Sequence, residues 1–440
     1  MLRRALATIM LLLAAAVAGA PAPAQGAALS IDIFGPGQGK VNMAFAEPLP
    51  LAPAPAVPQE AARFAALVRE NLGFLPFLHL VGDAEILGGT RMPGVTRDDL
   101  DMRRFQISKV DLIMTTGWQP GAEGSRLECR VYEASSGRLV IGKAYLRVDA
   151  EGLTRVADLF CSHFMEALTG RGEFFRSRLA FSRREGQKRE IWVMTPQGRD
   201  MRQVSFLGGA SSSPAWSVDG RYLAFAHHSV WQHTLAVWDS QNNRIFETKV
   251  PGTTIGGMDF MPDGTLAVAM TRGNMDIFKM SRDLTRVGDT LVSHWAIDVS
   301  PSFDSEGRLM AFTSDRQGNP QIFVKDLQTG REERVTFEGK YNTSPSISPD
   351  GRMVVYSRRT DSGHRIFVSD IQTMRERQLT FGPGNDEEPC FSPDGYFVVF
   401  SSNRSGTYRL YLTTRHGDEP RMLETGKGAA THPAFGLRIE

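Results

Sequence analysis

A short phrase returns five times along the chain and closes each time on an acidic residue and a glycine: Asp219-Gly220, Asp263-Gly264, Glu306-Gly307, Asp350-Gly351 and Asp394-Gly395. The glycines lie 44, 43, 44 and 44 residues apart. Two full forms are Ser213-Pro214-Ala215-Trp216-Ser217-Val218-Asp219-Gly220 and Ser344-Pro345-Ser346-Ile347-Ser348-Pro349-Asp350-Gly351. An apolar run follows each copy, at 222–225, 265–268, 309–312, 353–356 and 397–400, and a second run appears at 322–324, 366–368 and 410–412. After a further turn comes a short stretch such as Arg334-Val335-Thr336 or Gln378-Leu379-Thr380. Four short strands in every ~44 residues make one blade of a β-propeller.

The residue types suit that reading. Proline presets the first central position of a turn, aspartate bonds nearby amides, and glycine takes the positive φ that a side chain resists. The apolar runs are continuous instead of alternating, as in strands covered on both faces by neighbouring blades. The Ser-Pro openings are small and polar, and their prolines suit an edge strand, here the innermost one beside a central channel. Blade three departs, with Met258-Asp259 where the other copies carry proline. The two ends complement each other. Residues 178–182 match a second strand with no Ser-Pro phrase ahead of them, while Thr431-His432-Pro433-Ala434-Phe435 match a first strand with no second strand after them. Six second strands and a late first strand predict a ring closed by pairing the two ends, whereas an open solenoid needs capping repeats. The expected fold is mainly β: a six-bladed β-propeller over 171–440, preceded by a small α/β domain over 25–170.

In that first domain, Leu29 to Phe34 alternates like a strand, and Glu47 to Pro58 carries five prolines and reads as a polyproline-like connector. Ala61 to Leu72 is amphipathic, with Phe64, Leu67, Val68 and Leu72 on one face. Strands are expected over 74–81 and 110–115, a helix over 97–108, a hairpin over 126–148 around Ser135-Ser136-Gly137, and a closing helix over 154–168 ended by Gly170. Ahead of all this, residues 1–24 read as a secretory signal: Arg3 and Arg4, an uncharged run from Ala5 to Ala20, and Ala22-Pro23-Ala24 as the cleavage pattern, with the cut expected after Ala24. A lipoprotein would need a cysteine there, and the first is Cys129. The mature chain is then exported, with no later stretch long enough to span a membrane.

Composition excludes several classes. A net charge of +1 speaks against nucleic acid, which needs clustered uncompensated Lys and Arg. Three cysteines, Cys129, Cys161 and Cys390, make no disulfide-dense scaffold and no C-x-x-C zinc site; buried free thiols are the expected state. There is no G-x-S-x-G elbow and no H-E-x-x-H. His227, His228 and His233 gather around one hairpin loop, a pattern expected of a surface cluster. A hydrolytic propeller with a channel metal is the alternative, with Asp298 and Asp386-Glu387-Glu388 as its acidic residues.

The words Ala311-Phe312-Thr313-Ser314-Asp315-Arg316, with Gly318-Asn319-Pro320-Gln321-Ile322-Phe323 after them, then Thr336-Phe337-Glu338-Gly339, and the junction from Leu168-Thr169-Gly170 to Phe181, resemble the TolB family of the periplasmic Tol–Pal envelope system. The resemblance covers essentially the whole mature chain. It implies a periplasmic, non-enzymatic scaffold without cofactor or metal, whose propeller binds the peptidoglycan-associated lipoprotein Pal and whose N-terminal segment engages the C-terminal domain of TolA, in support of outer-membrane integrity and cell division. In each blade the segment ahead of the inner strand emerges beside the channel, and binding residues concentrate on such loops. Ser211, Ser212, Thr254, Ile297, Asn342, Thr343, Asp386, Glu387 and His432 are the expected partner-binding residues at this mouth, with Trp295 and Tyr341 as aromatic anchors. Leu29, Ile31, Ile33 and Phe34 are the expected contacts of the N-terminal segment, added as a strand to a partner's sheet edge.

Overall fold

Apolar strands covered on both faces need partners on both sides, and the repeat supplies them by stacking sheet on sheet around an axis. The computed structural model describes residues 40–51, 58–230, 232–250, 254–281, 284 and 286–438. The expected signal at 1–24 and the expected strand at Leu29 to Phe34 lie outside these. Among the described residues, four sheets of four antiparallel strands are separate blades, and an eight-stranded sheet joins the first two blades through one bridge, Ala210 with Arg189. The inner strands of blades two to six are Ala210–Trp216, Ile255–Phe260, Asp298–Phe303, Asn342–Ile347 and Asp386–Phe391. Blade one takes its inner strand, Ala429–Leu437, from the end of the chain and its second strand, Ser177–Glu185, from the beginning of the ring. They pair antiparallel, with Thr431 opposite Ser182 and Phe435 opposite Leu179. The ring closes as the complementary ends require.

The recurring phrase has a local chemistry that the periodicity alone does not reveal. In blade two, Ser217 Oγ donates to Asp219 Oδ1 (2.6 Å), which accepts the Arg221 N–H (3.0 Å), while Tyr222 N–H donates to Ser217 Oγ (2.8 Å). The same three bonds recur at Ser348, Asp350, Arg352 and Met353. The glycines take φ between 65° and 80°. At Gly220 a Cβ would also stand 2.0 Å from the Leu437 carbonyl, so both the turn and the closing strand demand glycine.

The X-Pro pairs sit at bulges. Every inner strand slips register there, as between Ser212 and Ala215 or between Thr343 and Ser346. The residue before each proline turns left-handed: Ser213, Ser300, Ser344, Glu388 and His432 have φ of 52–55°. A bulge leaves the proline without a ladder bond to break. Blade three, which lacks the proline, uses Gly257 at the same place with φ 119°. Past the bulges, neighbouring inner strands are tied directly: Phe303 N–H donates to Asp259 Oδ2 (2.9 Å), Ile347 N–H to Ser302 Oγ (3.1 Å) and Phe391 N–H to Ser346 Oγ (3.1 Å).

The preceding unit is a six-stranded sheet. Its strands are β1 (Val41–Phe45), β2 (Leu49–Pro50), β3 (Leu78–Leu80), β4 (Leu112–Gln119), β5 (Ser125–Glu133) and β6 (Leu139–Val148). Helix α1 (Gln59–Leu72) and the long helix α3 (Leu153–Thr169) share a core with Met43, Leu112 and Leu127. The short helix α2 (Met102–Ile107) meets the intervening residues Ala44, Ile113 and Tyr132 in a second core. Strand β4 is buried on both faces, and its first half is the apolar run Leu112-Ile113-Met114. The closing helix ends as expected at Gly170, left-handed with φ 81°.

Three expectations need correction. Leu49–Pro50, within the proline-rich connector, pairs in parallel with Gly117 and Trp118. The strand expected over 74–81 shrinks to Leu78–Leu80 because Phe74 and Phe77 pack on the propeller instead of pairing. The helix expected over 97–108 is a 3₁₀ turn, Arg97–Asp99, followed by α2.

The sheet unit and the ring share one core. Phe174 stacks on Phe397 with centroids 4.0 Å apart, and Phe77 meets Tyr396 edge-on at 5.8 Å. Cys129 and Cys161 lie buried in this core as free thiols, whereas Cys390 is half-buried. A polar seam runs beside it. Arg199 Nη2 donates to Asp158 Oδ1 (2.6 Å) and Asn71 Oδ1 (3.1 Å), and Asn71 Nδ2 donates to Asp158 (2.9 Å).

Candidate partner-docking face

Antiparallel order sends the Asp-Gly turns and the third-to-outer turns to one face of the ring. The blade-to-blade connections and the second-to-third hairpins go to the other. The sheet unit packs on the turn face: Tyr396 follows the Gly395 turn, and Arg421, just past a third-to-outer turn, donates to the Gly73 carbonyl (3.1 Å) and covers the Phe74 ring. The sheet unit leaves the opposite, connection face free.

That face carries a patterned row of aromatics. Ser205, Thr336 and Thr380 are buried, and each hydroxyl accepts a backbone N–H of the third strand of its blade: Ile191 (2.8 Å), Ile322 (3.0 Å) and Ile366 (3.0 Å). An extended chain alternates its side chains, so pinning the hydroxyl inward turns the next residue outward. The next residues are Phe206, Phe337 and Phe381. With Trp295 on the connection from blade three to blade four, they expose 60–76% of their area. Ile297 and Tyr341 are exposed beside them. Apolar side chains scattered singly are ordinary, whereas these large ones recur at one place in successive blades on one face.

One buried and two half-buried arginines brace this face. Arg316 binds Asp298 (2.9 Å) and Glu332, Arg404 holds both oxygens of Asp386 (2.8 Å), and Arg358 reaches Asn342 Oδ1 (2.8 Å), the Tyr356 hydroxyl (3.1 Å) and Glu376. Glu376 in turn accepts the Phe337 N–H (2.6 Å), so this network positions an exposed aromatic. Ser-Asp-Arg at 314–316 and Thr-Phe at 336–337, two of the words that carry the family resemblance, return as Ser-Asn-Arg at 402–404 and Thr-Phe at 380–381, and this repetition is the sequence signal for the bracing arginines and the outward rings.

The expected mouth residues therefore separate. Thr254 and Ile297 are exposed, and Ser212, Thr343, Glu387 and His432 are half-buried. Ser211, Asn342 and Asp386 are wholly buried and serve the scaffold. Ser211 Oγ lies 3.1 Å from His227 Nδ1, and Asn342 Nδ2 donates to Gln321 Oε1 (2.8 Å). Asn342 and Asp386, polar residues that open their inner strands, anchor Arg358 and Arg404. Leu29, Ile31, Ile33 and Phe34 lie outside the described residues.

The acidic residues considered for a channel cation are engaged elsewhere. Asp298 and Asp386 meet their arginines, the Tyr408 hydroxyl donates to Glu387, and Glu388 accepts from Ser401 Oγ (2.8 Å) and lies against His432. Among the described residues, no three His, Cys, Asp or Glu side chains gather where they could hold a metal ion. His227 is buried, contrary to the surface cluster expected, and the rings of His228 and His233 meet edge-on at 4.1 Å. Burial and the neighbouring histidines hold His228 below the ordinary imidazole range.

Comparison with known proteins agrees with this architecture. The family model described as TolB beta propeller domain matches residues 165–439. The Tol-Pal system protein TolB of Nitratidesulfovibrio vulgaris is 48% identical over 254 residues, which is 57% of each chain. A TolB homolog of Chlorobium luteolum is 33% identical over 208 residues, 47% of each. The aligned part thus spans about half the length of these relatives. The crystal structure of TolB from Acinetobacter baumannii superposes with a TM-score of 0.79 at 20% identity, covering 92% of this chain and 98% of that one, a likeness of fold.

Proposed function

The chain belongs to the TolB β-propeller family, and from that premise we propose that it is a periplasmic, non-enzymatic scaffold of a Tol–Pal system. In this reading it binds Pal on the connection face of the propeller and the C-terminal domain of TolA through the segment from Gln25 to Phe34. The observation that carries it is the row of Phe206, Trp295, Phe337 and Phe381 on the face that the sheet unit leaves free. Aromatic anchors in a rigid frame lose little conformational entropy on docking, which suits a surface chosen by shape. Thr254, Ile297, Thr343 and Tyr341 stand among them as contacts, and a near-neutral chain adds little long-range steering. The signal sequence expected at 1–24 fits delivery to the periplasm.

A pull-down from envelope extract tests the reading. The full chain is expected to retain both a lipoprotein with a peptidoglycan-binding domain and TolA. Deleting 25–34 is expected to lose TolA and keep the lipoprotein. Loss of both together would count against separate surfaces, and recovery of neither from the full chain would overturn the proposal.

A further inference from the structure

We infer that the turn face of blade one holds a binding site for a small phosphate-type dianion, built by Arg178, Arg202 and Arg438. The three arginines line one pocket of about 260 Å³, together with Val193, Met194, Thr195 and Asp200. Each comes from a different strand region of the same blade. Arg178 lies at the start of the second strand, Arg202 opens the outer strand, and Arg438 follows the closing strand, whose Gly436 is paired with Arg178. Ring closure therefore assembles the site from residues far apart in sequence.

Charge and size define the ligand. Three cations against the single carboxylate of Asp200 leave an excess of two positive charges. Asp158, outside the pocket lining, pairs with Arg438 at 3.6 Å but is already held more closely by Arg199 at 2.6 Å. No hydrogen bond or ion pair engages the side chain of Arg178 or Arg202 among the described residues; Arg202 only lies over the Trp238 ring at 5.3 Å. Burial first, then the charges of Arg202 and Arg438, pull the Arg178 guanidinium below its ordinary value, and the opposing charge of Asp200 does not restore it. Guanidinium forks match the oxygens of phosphate. The volume is below the ~300–1,000 Å³ of sites for drug-sized ligands, so the pocket suits one phosphoryl group. Inorganic phosphate and a phosphomonoester share that chemistry.

Titration calorimetry and thermal unfolding of the full chain, with sodium phosphate, glycerol 3-phosphate and sodium chloride at matched ionic strength, test the site. Saturable binding of phosphate, with a melting temperature that rises with phosphate and not with chloride, is expected. Tighter binding of glycerol 3-phosphate would identify a monoester as the ligand, and equal or weaker binding would identify the free ion. Arg202→Gln, on an exposed strand, should weaken binding at least tenfold without altering the fold, and Arg178→Gln should do the same. A wild-type chain indifferent to both phosphates overturns the inference, whether the pocket takes no anion or the protein's own groups fill it. Binding undiminished in Arg202→Gln overturns it equally.

Discussion

His432 Nε2 stands 3.0 Å from Glu388 Oε1, and the His432 backbone N–H donates to the other oxygen of that carboxylate at 2.6 Å. The two residues occupy the same left-handed bulge position in neighbouring inner strands, one in blade six and one in the closing strand of blade one. The pair therefore spans the joint at which the ring is completed.

Glu388 should make stability pH-dependent in a defined window. Burial raises its pKa, but the charge and N–H groups of His432 and the Ser401 hydroxyl prevail and hold it at about 2. A depressed carboxyl contributes fully above its unfolded value of about 4.3, and that contribution is lost as pH falls towards 2. Glu388→Gln is expected to cost about 1–3 kcal/mol at pH 7 and almost nothing near pH 2. Urea unfolding of both proteins across this range checks it, and a cost independent of pH would contradict it.

Asp259 has the opposite sign. Burial outweighs the N–H bonds from Phe303 and Phe260 and lifts its carboxyl to about 7. A raised carboxyl binds its proton more tightly in the fold, so stability should fall as pH rises from about 4 to 7. Blades four and five place Ser302 and Ser346 where blade three has Asp259. Asp259→Ser keeps an acceptor for Phe303 and should gain stability relative to wild type at pH 8 but not at pH 4. Equal differences at both values would refute this.

Removing 431–440 should leave Leu179 and Ala180 without their partners Phe435 and Ala434. Phe435 also leans on Phe174 at the core shared with the sheet unit. A loss of about 3 kcal/mol is expected from uncovering the buried Leu179 and Ala180 and removing the half-buried Phe435. A truncated chain that melts with the full one would disprove closure by the two ends.

Arg404→Ala should cost about 3–5 kcal/mol, because it strands the fully buried carboxylate of Asp386. Denaturant unfolding reads the loss directly. A change under 1 kcal/mol would mean that Asp386 is not the anchor described.

What sequence could reveal followed from repetition. Every blade solves one packing problem, so its turns and apolar runs return at a fixed spacing, and even the incomplete ends could be matched. The sheet unit solves its problem once. Phe74 looks like strand sequence yet points its ring at Arg421, a partner 347 residues away, and local pattern holds no trace of that. The docking face was half legible. Ile297, Trp295 and Tyr341 are exposed as a loop reading implies, whereas Asn342 and Asp386 look like loop residues and are buried by arginines 16 and 18 residues further on. Phe337 and Phe381 show no outward orientation in sequence alone, because what turns each ring out is the buried threonine before it, whose hydroxyl holds a backbone N–H of the third strand.

The most direct measurement is the affinity of purified Pal for wild type and for the variant Phe337→Ala/Phe381→Ala, by titration calorimetry at fixed pH and salt. Truncating two anchors of a docking surface should cost about 2 kcal/mol or more, roughly a thirtyfold rise in Kd, with no change in Tm because both rings are solvent-exposed. An affinity within twofold of wild type would contradict the assignment of Pal to the connection face.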